Sequence, residues 1–249
     1  MLFGKKEKMP PEQRREMVQA IEKLIDAGKS EEAFRLTKTL EKEDADAAGL
    51  AMAYFYFMGE NVREDYNAAA RSAQRYLRIE PEDALAWNRL GSSYMLLGNY
   101  DQAAPALEKG YQLGNIEAGT LLANVCKIQA DRLRGDAAGT LNARSFGRAN
   151  GQAMTLYTKV ILLGEAIGAA HPGMMNDADW QGYGRAFDMM YALALGGETR
   201  SFRVSGNAFS TYASVAKAFE AGRDDRAGQG VWLAAAVRGC ALMEAAGYK

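Results

Sequence analysis

The chain has 249 residues, of which 48% are hydrophobic and 24% are charged, and its net charge is −1. This composition is that of a globular protein and excludes a mainly disordered chain. The balanced charge gives no general attraction to nucleic acid or to an anionic membrane, and we expect neither as a partner. The 44 alanines and only 5 prolines favour a nearly all-helical protein, because alanine loses no side-chain entropy in a helix.

The rarest residue types limit the chemistry that the protein can perform. A single histidine, His171, excludes metal sites built from histidine pairs and leaves one candidate partner for a nucleophile. No acidic residue lies within four positions of His171, so we interpret it as a loop residue in a helix connection. Cys126 and Cys240 lie far apart among apolar neighbours, which fits free thiols in a reducing compartment. We therefore predict a non-catalytic cytoplasmic protein without cofactor or metal.

The order of segments predicts one continuous helical stack. Residues 1–9 lack the apolar core of a signal peptide and are predicted to be flexible. The longest nearly apolar run, residues 49–59, would rise only about 16 Å as a helix, which is too short for a bilayer core of about 30 Å. We predict regular repeats over residues 10–170. Residues 171–249 are predicted to add less regular helices and a C-terminal cap to the same stack.

Three helix hairpins follow one another in the first half of the chain. Residues 10–45 predict the first hairpin, with its turn at Gly28, and residues 48–79 predict the second. Residues 84–115 predict the third, and Gly98 breaks it into two helices. Its packing residues share one face of each helix and include small residues that allow close approach: Trp87, Leu90, Gly91, Tyr94, Ala103 and Leu107. Replacing Trp87 by alanine would cost about 3–5 kcal/mol if that side chain is fully buried.

These spacings resemble two related repeat families. The pattern W-x2-L-G-x2-Y, followed by a glycine turn, resembles a tetratricopeptide repeat over residues 84–115. The second hairpin resembles a Sel1-like repeat, on five matching positions: Tyr56, Gly59, Val62, Asp65 and Ala69. Asn61 replaces the second glycine of that pattern, which asparagine tolerates because it also visits positive φ. Asn115 stands where tetratricopeptide repeats often have proline. The resemblance implies a right-handed α-solenoid of stacked helix hairpins.

The pattern becomes less regular after the third hairpin. Residues 116–134 predict another first helix, and the polar, glycine-rich residues 135–150 predict a long loop before a helix over residues 151–167. After Pro172 the acidic pair Asp177 and Asp179 predicts a helix start. Further helices are predicted over residues 180–195, 207–221 and 229–246, the last being the C-terminal cap.

The resemblance implies a binding surface, because first helices line the concave face of such stacks. Repeat alignment assigns two rows of residues to this face. The first row is Tyr54, Ser92 and Asn124, and the second is Phe57, Met95 and Lys127. Asn88 lies one helical turn before Ser92. In tetratricopeptide peptide-binders, asparagine and lysine in such rows grip a ligand's backbone or carboxylate. The aromatic residues and Met95 are equally compatible with a role in the core.

Two functions fit this sequence. The first is a scaffold or adaptor that binds a protein or peptide segment in the groove of residues 45–130, with residues 135–150 at its rim. The second is a regulatory, immunity-like or chaperone-like subunit that binds its partner through the C-terminal half.

Overall fold

The structure, a computed structural model, describes residues 9–138 and 143–176, together with Ala178, Asp179, Gly182, Tyr183, Arg185, Ala186 and Met189. Within these residues all regular secondary structure is helical, which confirms the predicted class. The helices are α1 Pro11–Asp26, α2 Ser30–Glu43, α3 Gly49–Met58, α4 Tyr66–Leu77, α5 Ala84–Leu96, α6 Tyr100–Gln112, α7 Ile116–Ala138 and α8 Ala143–Ala170. A short 3-10 turn, Pro172–Met174, follows α8. The chain forms two compact units, Met1–Ala118 and Gly119–Lys249.

The first unit is a stack of three helix hairpins, as predicted. Helix α1 packs on α2, α3 on α4, and α5 on α6, and the hairpins are joined by contacts of α2 with α3 and of α4 with α5. Helix α3 also contacts both α1 and α5, so the first helices of the three hairpins lie side by side. Each hairpin therefore buries its apolar face against its neighbours rather than by itself.

Turn residues set the ends of these helices. Gly98 has a φ of 75° and ends α5, where its N–H donates to the Met95 carbonyl oxygen at 2.9 Å. Asn61 has a φ of 58°, which confirms that it takes the left-handed position expected of the missing glycine. The resulting connection between α3 and α4 is fastened by hydrogen bonds, since Asn61 Nδ2 donates to Ser30 Oγ at 2.7 Å.

Polar side chains begin the helices. Asp83 Oδ1 accepts a hydrogen bond from the Ala86 N–H at 2.8 Å and so caps α5. Asn115 Oδ1 accepts from the Ala118 N–H at 2.8 Å in the same way at the start of α7. Asparagine at this position therefore supplies a cap that proline does not.

The core of the first unit depends on small residues. Ala53, Ala69 and Ala103 are 0% exposed, which places the alanine excess between helices. A Cβ on Gly91 would lie 2.5 Å from Leu107 Cγ, so only glycine lets α5 approach α6 this closely. Trp87 is only half-buried, and its Nε1 donates to the Pro81 carbonyl oxygen at 2.8 Å. The cost given above for a fully buried tryptophan therefore does not apply.

The second unit corrects the predicted loop. Helix α7 continues to Ala138, and α8 already begins at Ala143, so most of residues 135–150 are helical. The segment contains four alanines and no proline. Each of its glycines destabilises a helix by only about 1 kcal/mol relative to alanine. Cys126 is 1% exposed, and Tyr157 on α8 donates to Asp131 Oδ1 on α7 at 2.5 Å.

The helix start after α8 is also corrected. Asn176 provides the cap, because its Oδ1 accepts from the N–H groups of Ala178 and Asp179 at 2.9 and 3.0 Å. Asp179 Oδ2 in return accepts from the Asn176 N–H at 3.1 Å. His171 is exposed directly after α8, in the connection where it was predicted.

Some predictions fall outside the described residues. They are the flexible N-terminus over residues 1–8, the helices at 207–221 and 229–246, Cys240, and most of the helix at 180–195. The division of the chain at residue 170 stays a prediction. In the part of the chain that the structure describes, no helix is long and apolar enough to cross a membrane.

Candidate functional site

The predicted site residues of α3 lie on the partly exposed side of that helix. Tyr54 is half-buried, and its hydroxyl donates to Glu60 Oε1 at 3.3 Å. Burial and the nearby Glu60 carboxylate raise the pKa of Tyr54 above its ordinary value. The Phe57 ring packs edge-on against Tyr66 with 5.6 Å between centroids. Both aromatic residues therefore combine packing with a surface that a partner can reach.

The predicted residues of α5 differ strongly in exposure. Asn88 and Ser92 are only 4% and 7% exposed, whereas Met95 is half-buried. Asn88 Nδ2 donates to Glu117 Oε2 at 3.0 Å, and Ser92 Oγ lies 3.5 Å from Asn88 Oδ1. The Asn88 amide is thus already bonded to a carboxylate in the first turn of α7.

Asn124 and Lys127 lie in the second unit, against residues that follow α8. Asn124 Nδ2 donates to Asp179 Oδ1 at 3.3 Å, and both residues line a cavity of about 20 Å³ that holds about one water molecule. Lys127 lines the same cavity beside Gly182 and Tyr183. Like Asn88, Asn124 donates to a carboxylate near the start of a later helix.

Three exposed apolar side chains of the first unit were missed by the sequence prediction. Met58, Leu85 and Leu96 are 51%, 36% and 47% exposed, the highest values among its described large apolar residues. All three lie on the first helices α3 and α5. Met58 and Leu96 occupy equivalent repeat positions, because Met58 lies two residues after Tyr56 and Leu96 lies two residues after Tyr94, and the repeat alignment matches these two tyrosines. The repeat alignment could therefore have identified this pair.

Arg89 joins α5 to α3 on the same surface. Its guanidinium donates to the Leu50 carbonyl oxygen at 3.1 Å and lies 4.9 Å from the centre of the Tyr54 ring. Burial lowers the pKa of Arg89 to about 10, and the neighbouring Tyr54, Glu22, Asp83 and Glu117 act in the opposite direction. Arg89 therefore keeps its charge at neutral pH.

A cleft of about 300 Å³ opens beside α1 in the first unit. None of the described residues that line it belongs to α3: they are Arg14, Arg15, Val18, Gln19 and Glu22 of α1, with Tyr76, Glu80 and Asp83 from the end of α4 and the start of α5. The repeat alignment matches Ala84, the first residue of α5, with Asp46, yet α3 begins only at Gly49. Helix α3 is therefore nearly one turn shorter at its start than α5.

Comparison with known proteins supports the repeat assignment. Residues 84–115 match the family model of the tetratricopeptide repeat, the segment in which the sequence pattern was strongest. Residues 84–115, which form α5, α6 and the turn between them, are therefore similar to a tetratricopeptide repeat. No curated protein matches it.

Several solved structures are similar to this chain. A MamA protein is 18% identical, with a TM-score of 0.42, over 77% of this chain and 100% of its own. A Sel1 repeat protein from Oxalobacter formigenes is 20% identical, with a TM-score of 0.33, over 64% of this chain and 63% of its own. A chain of the APC/C hetero-tetramer Cut9-Hcn1 is 14% identical, with a TM-score of 0.37, over 92% of this chain and 48% of its own.

Proposed function

We propose that this protein is a non-catalytic interaction scaffold that binds a peptide or protein segment on the surface of its first helices. The observation that carries the proposal is the exposure of Met58, Leu85 and Leu96 on neighbouring first helices. Covering such side chains with a partner removes apolar surface from water, which favours association. The tetratricopeptide repeat at residues 84–115 supports this function by analogy with its family.

The proposed contacts include all the residues predicted from the sequence, with different roles. Tyr54, Phe57 and Met95 offer partly exposed apolar surface on the first unit. Ser92 and Asn88 lie beneath it, and Asn88 would bind a partner only by exchanging its bond to Glu117. Asn124 would likewise exchange its bond to Asp179, and Lys127 lies beside it.

The proposal assigns no catalytic residue. Cys126 is 1% exposed, which keeps its thiol from a substrate, and His171 is exposed at a helix end. A protein partner, rather than nucleic acid or a membrane, fits the balanced charge of the chain. The cytoplasm is the proposed compartment, on the pattern of two distant cysteines.

The test compares variants of the full chain in binding to a partner identified by pull-down. The double substitution Met58→Ser with Leu96→Ser should weaken binding at least tenfold. Full burial of each of these apolar side chains would contribute about 1.5–3 kcal/mol to the free energy of binding. Leu162→Ser is the matched control, because Leu162 is 48% exposed on α8 of the second unit. Circular dichroism should show unchanged helix content in all variants. A partner that binds the double variant as tightly as the wild type would contradict the proposal.

A second comparison separates the predicted polar residues from the apolar ones. Asn88→Ala with Asn124→Ala should weaken binding if these amides grip the partner. Because both amides also form internal hydrogen bonds, the urea midpoint of this variant has to be measured beside its affinity. The alternative function, binding through the C-terminal half, rests on residues outside the described part of the chain, and no observation here favours it.

A further inference from the structure

The cleft beside α1 belongs to the same surface as the exposed apolar residues. Repeat alignment matches Gly28 with Gly98 and so places Glu22 of α1 in one row with Ser92 of α5 and Tyr54 of α3. Glu22 lines the cleft and also lies close enough to Arg89 to influence its charge. The cleft therefore continues the first-helix surface toward the beginning of the chain.

The charges around the cleft do not balance. Three carboxylates line it, those of Glu22, Glu80 and Asp83. Of the two lining arginines, Arg14 is already paired with Asp44 at 3.0 Å, and both side chains of that ion pair are largely buried. Among the described residues, only Arg15, which is exposed, and the nearby Arg89 remain to oppose the three carboxylates. The described side chains around the cleft therefore carry a net negative charge.

Of the three lining carboxylates, Glu22 and Glu80 have no side-chain hydrogen bond or ion pair within the described residues, and Glu22 is the one that lies on a first helix. Asp83 uses one oxygen to cap α5, and its other oxygen accepts from the Tyr76 hydroxyl at 3.3 Å. Among the described residues, Glu22 has neither a hydrogen-bond partner nor an ion-pair partner. Burial and then repulsion by Asp83 raise the pKa of Glu22, and the attraction of Arg89 is the weaker charge effect. An added cation would relieve this repulsion.

We propose that the cleft accepts a lysine or arginine side chain of the partner, beside Glu22, while neighbouring apolar residues of the same segment lie on Tyr54, Met58 and Leu96. The partner is thus a basic, amphipathic segment rather than an acidic or purely apolar one. The inference rests on the proposed function, since it names the chemistry of the segment that the first-helix surface binds. The volume of about 300 Å³ is ample for one long cationic side chain.

The probe is a phage library of random dodecapeptides, selected on the full-length chain. Selected peptides should be enriched in lysine or arginine next to leucine, isoleucine or phenylalanine. Labelled synthetic copies are then titrated by fluorescence anisotropy. Glu22→Gln should weaken the strongest peptide about fivefold, the effect of one half-buried ion pair. Glu16→Gln is the matched control, because Glu16 is an exposed glutamate of the same helix that does not line the cleft, and it should leave affinity unchanged.

A double-mutant cycle makes the contact specific. Replacing the basic residue of the peptide by glutamine should weaken binding to the wild type, but hardly weaken binding to Glu22→Gln. Equal losses with both proteins, or selected peptides without basic residues, would overturn the inference. If Met58→Ser with Leu96→Ser still weakens those peptides, the proposed function stands without the basic subsite. If that double variant has no effect, or the library yields no binder, both proposals fail.

Discussion

A single methyl group added at Gly91 tests whether close approach of α5 and α6 holds the first unit together. The new Cβ would lie 2.5 Å from Leu107 Cγ and 3.0 Å from the Leu107 backbone nitrogen, whereas carbon atoms pack best at about 3.5–4.0 Å. Leu107 is 0% exposed, so its side chain has no free space to move into. Overpacking of this kind costs about 1–3 kcal/mol.

The same substitution also gains helix propensity, which opposes the clash. Alanine is favoured over glycine inside a helix by about 1 kcal/mol. We therefore expect Gly91→Ala to lower the free energy of unfolding by up to about 2 kcal/mol, the difference between the two effects. At a slope of about 2 kcal/mol/M, the urea midpoint then falls by up to about 1 M, which far-UV circular dichroism measures.

Two matched glycines separate the clash from the propensity. Gly135 lies in α7 with nothing within 4 Å of an added Cβ, so Gly135→Ala should leave stability unchanged or raise it by up to about 1 kcal/mol. Gly110 is an intermediate case, because its Cβ would lie 3.1 Å from Ala118 Cβ. We expect Gly135→Ala to be the most stable of the three variants, Gly110→Ala to be intermediate and Gly91→Ala to be the least stable. Finding Gly91→Ala as stable as Gly135→Ala would refute the packing argument.

Three further predictions use the same urea assay. Asp83→Ala should destabilise the protein by about 1–2 kcal/mol, whereas Asp83→Asn, which keeps a capping oxygen, should cost less; equal losses would mean that the cap is unimportant. Asn61→Ala should cost about 1 kcal/mol because of the positive φ, and Asn61→Gly should cost less; the opposite order would contradict the backbone argument. Burial and Asp83 raise the pKa of Tyr76 in the folded protein. The contribution of the neutral Tyr76 hydroxyl to folding stability is therefore complete below about pH 10, the pKa of tyrosine in the unfolded chain, and is lost as the pH rises above that value. Wild type should therefore lose stability more steeply than Tyr76→Phe above about pH 10, and parallel curves would show that Tyr76 is not responsible.

Local signals predicted the hairpins because those signals act within a few residues. The glycine at position 98, the aspartate at position 83 and the asparagine at position 61 each set the backbone through their own φ or their own cap. The helical start after α8 was missed by a few residues for the same kind of reason. Asn176, Asp177 and Asp179 are all capable caps, and only the backbone path selects Asn176.

The prediction of a loop at residues 135–150 was wrong for a different reason. Its glycines and polar residues have weak individual preferences, which packing overrides when neighbouring turns are already helical. The buried residues of α7 and α8, among them Val125, Tyr157 and Ile161, supply that packing.

The surface that we propose for binding was only partly visible in the sequence. Repeat spacing identified the helix face that carries Tyr54, Ser92 and Met95, because equivalent positions recur at a fixed offset along the chain. It could not show that Asn88 is bonded to Glu117, since that contact joins side chains on different helices.

The sequence by itself determined the helical class, the repeat period and the residues at the turns, because each follows from composition or from spacing within one hairpin. Only the tertiary structure decided which polar groups are already satisfied and where space remains. The cleft beside α1 is lined by residues of α1, of the end of α4 and of the start of α5, which only the stacking of the hairpins brings together. Its charge depends on Glu22 of α1 and on the pair Glu80 and Asp83, which lies far along the chain from Glu22 and meets it only when the hairpins stack.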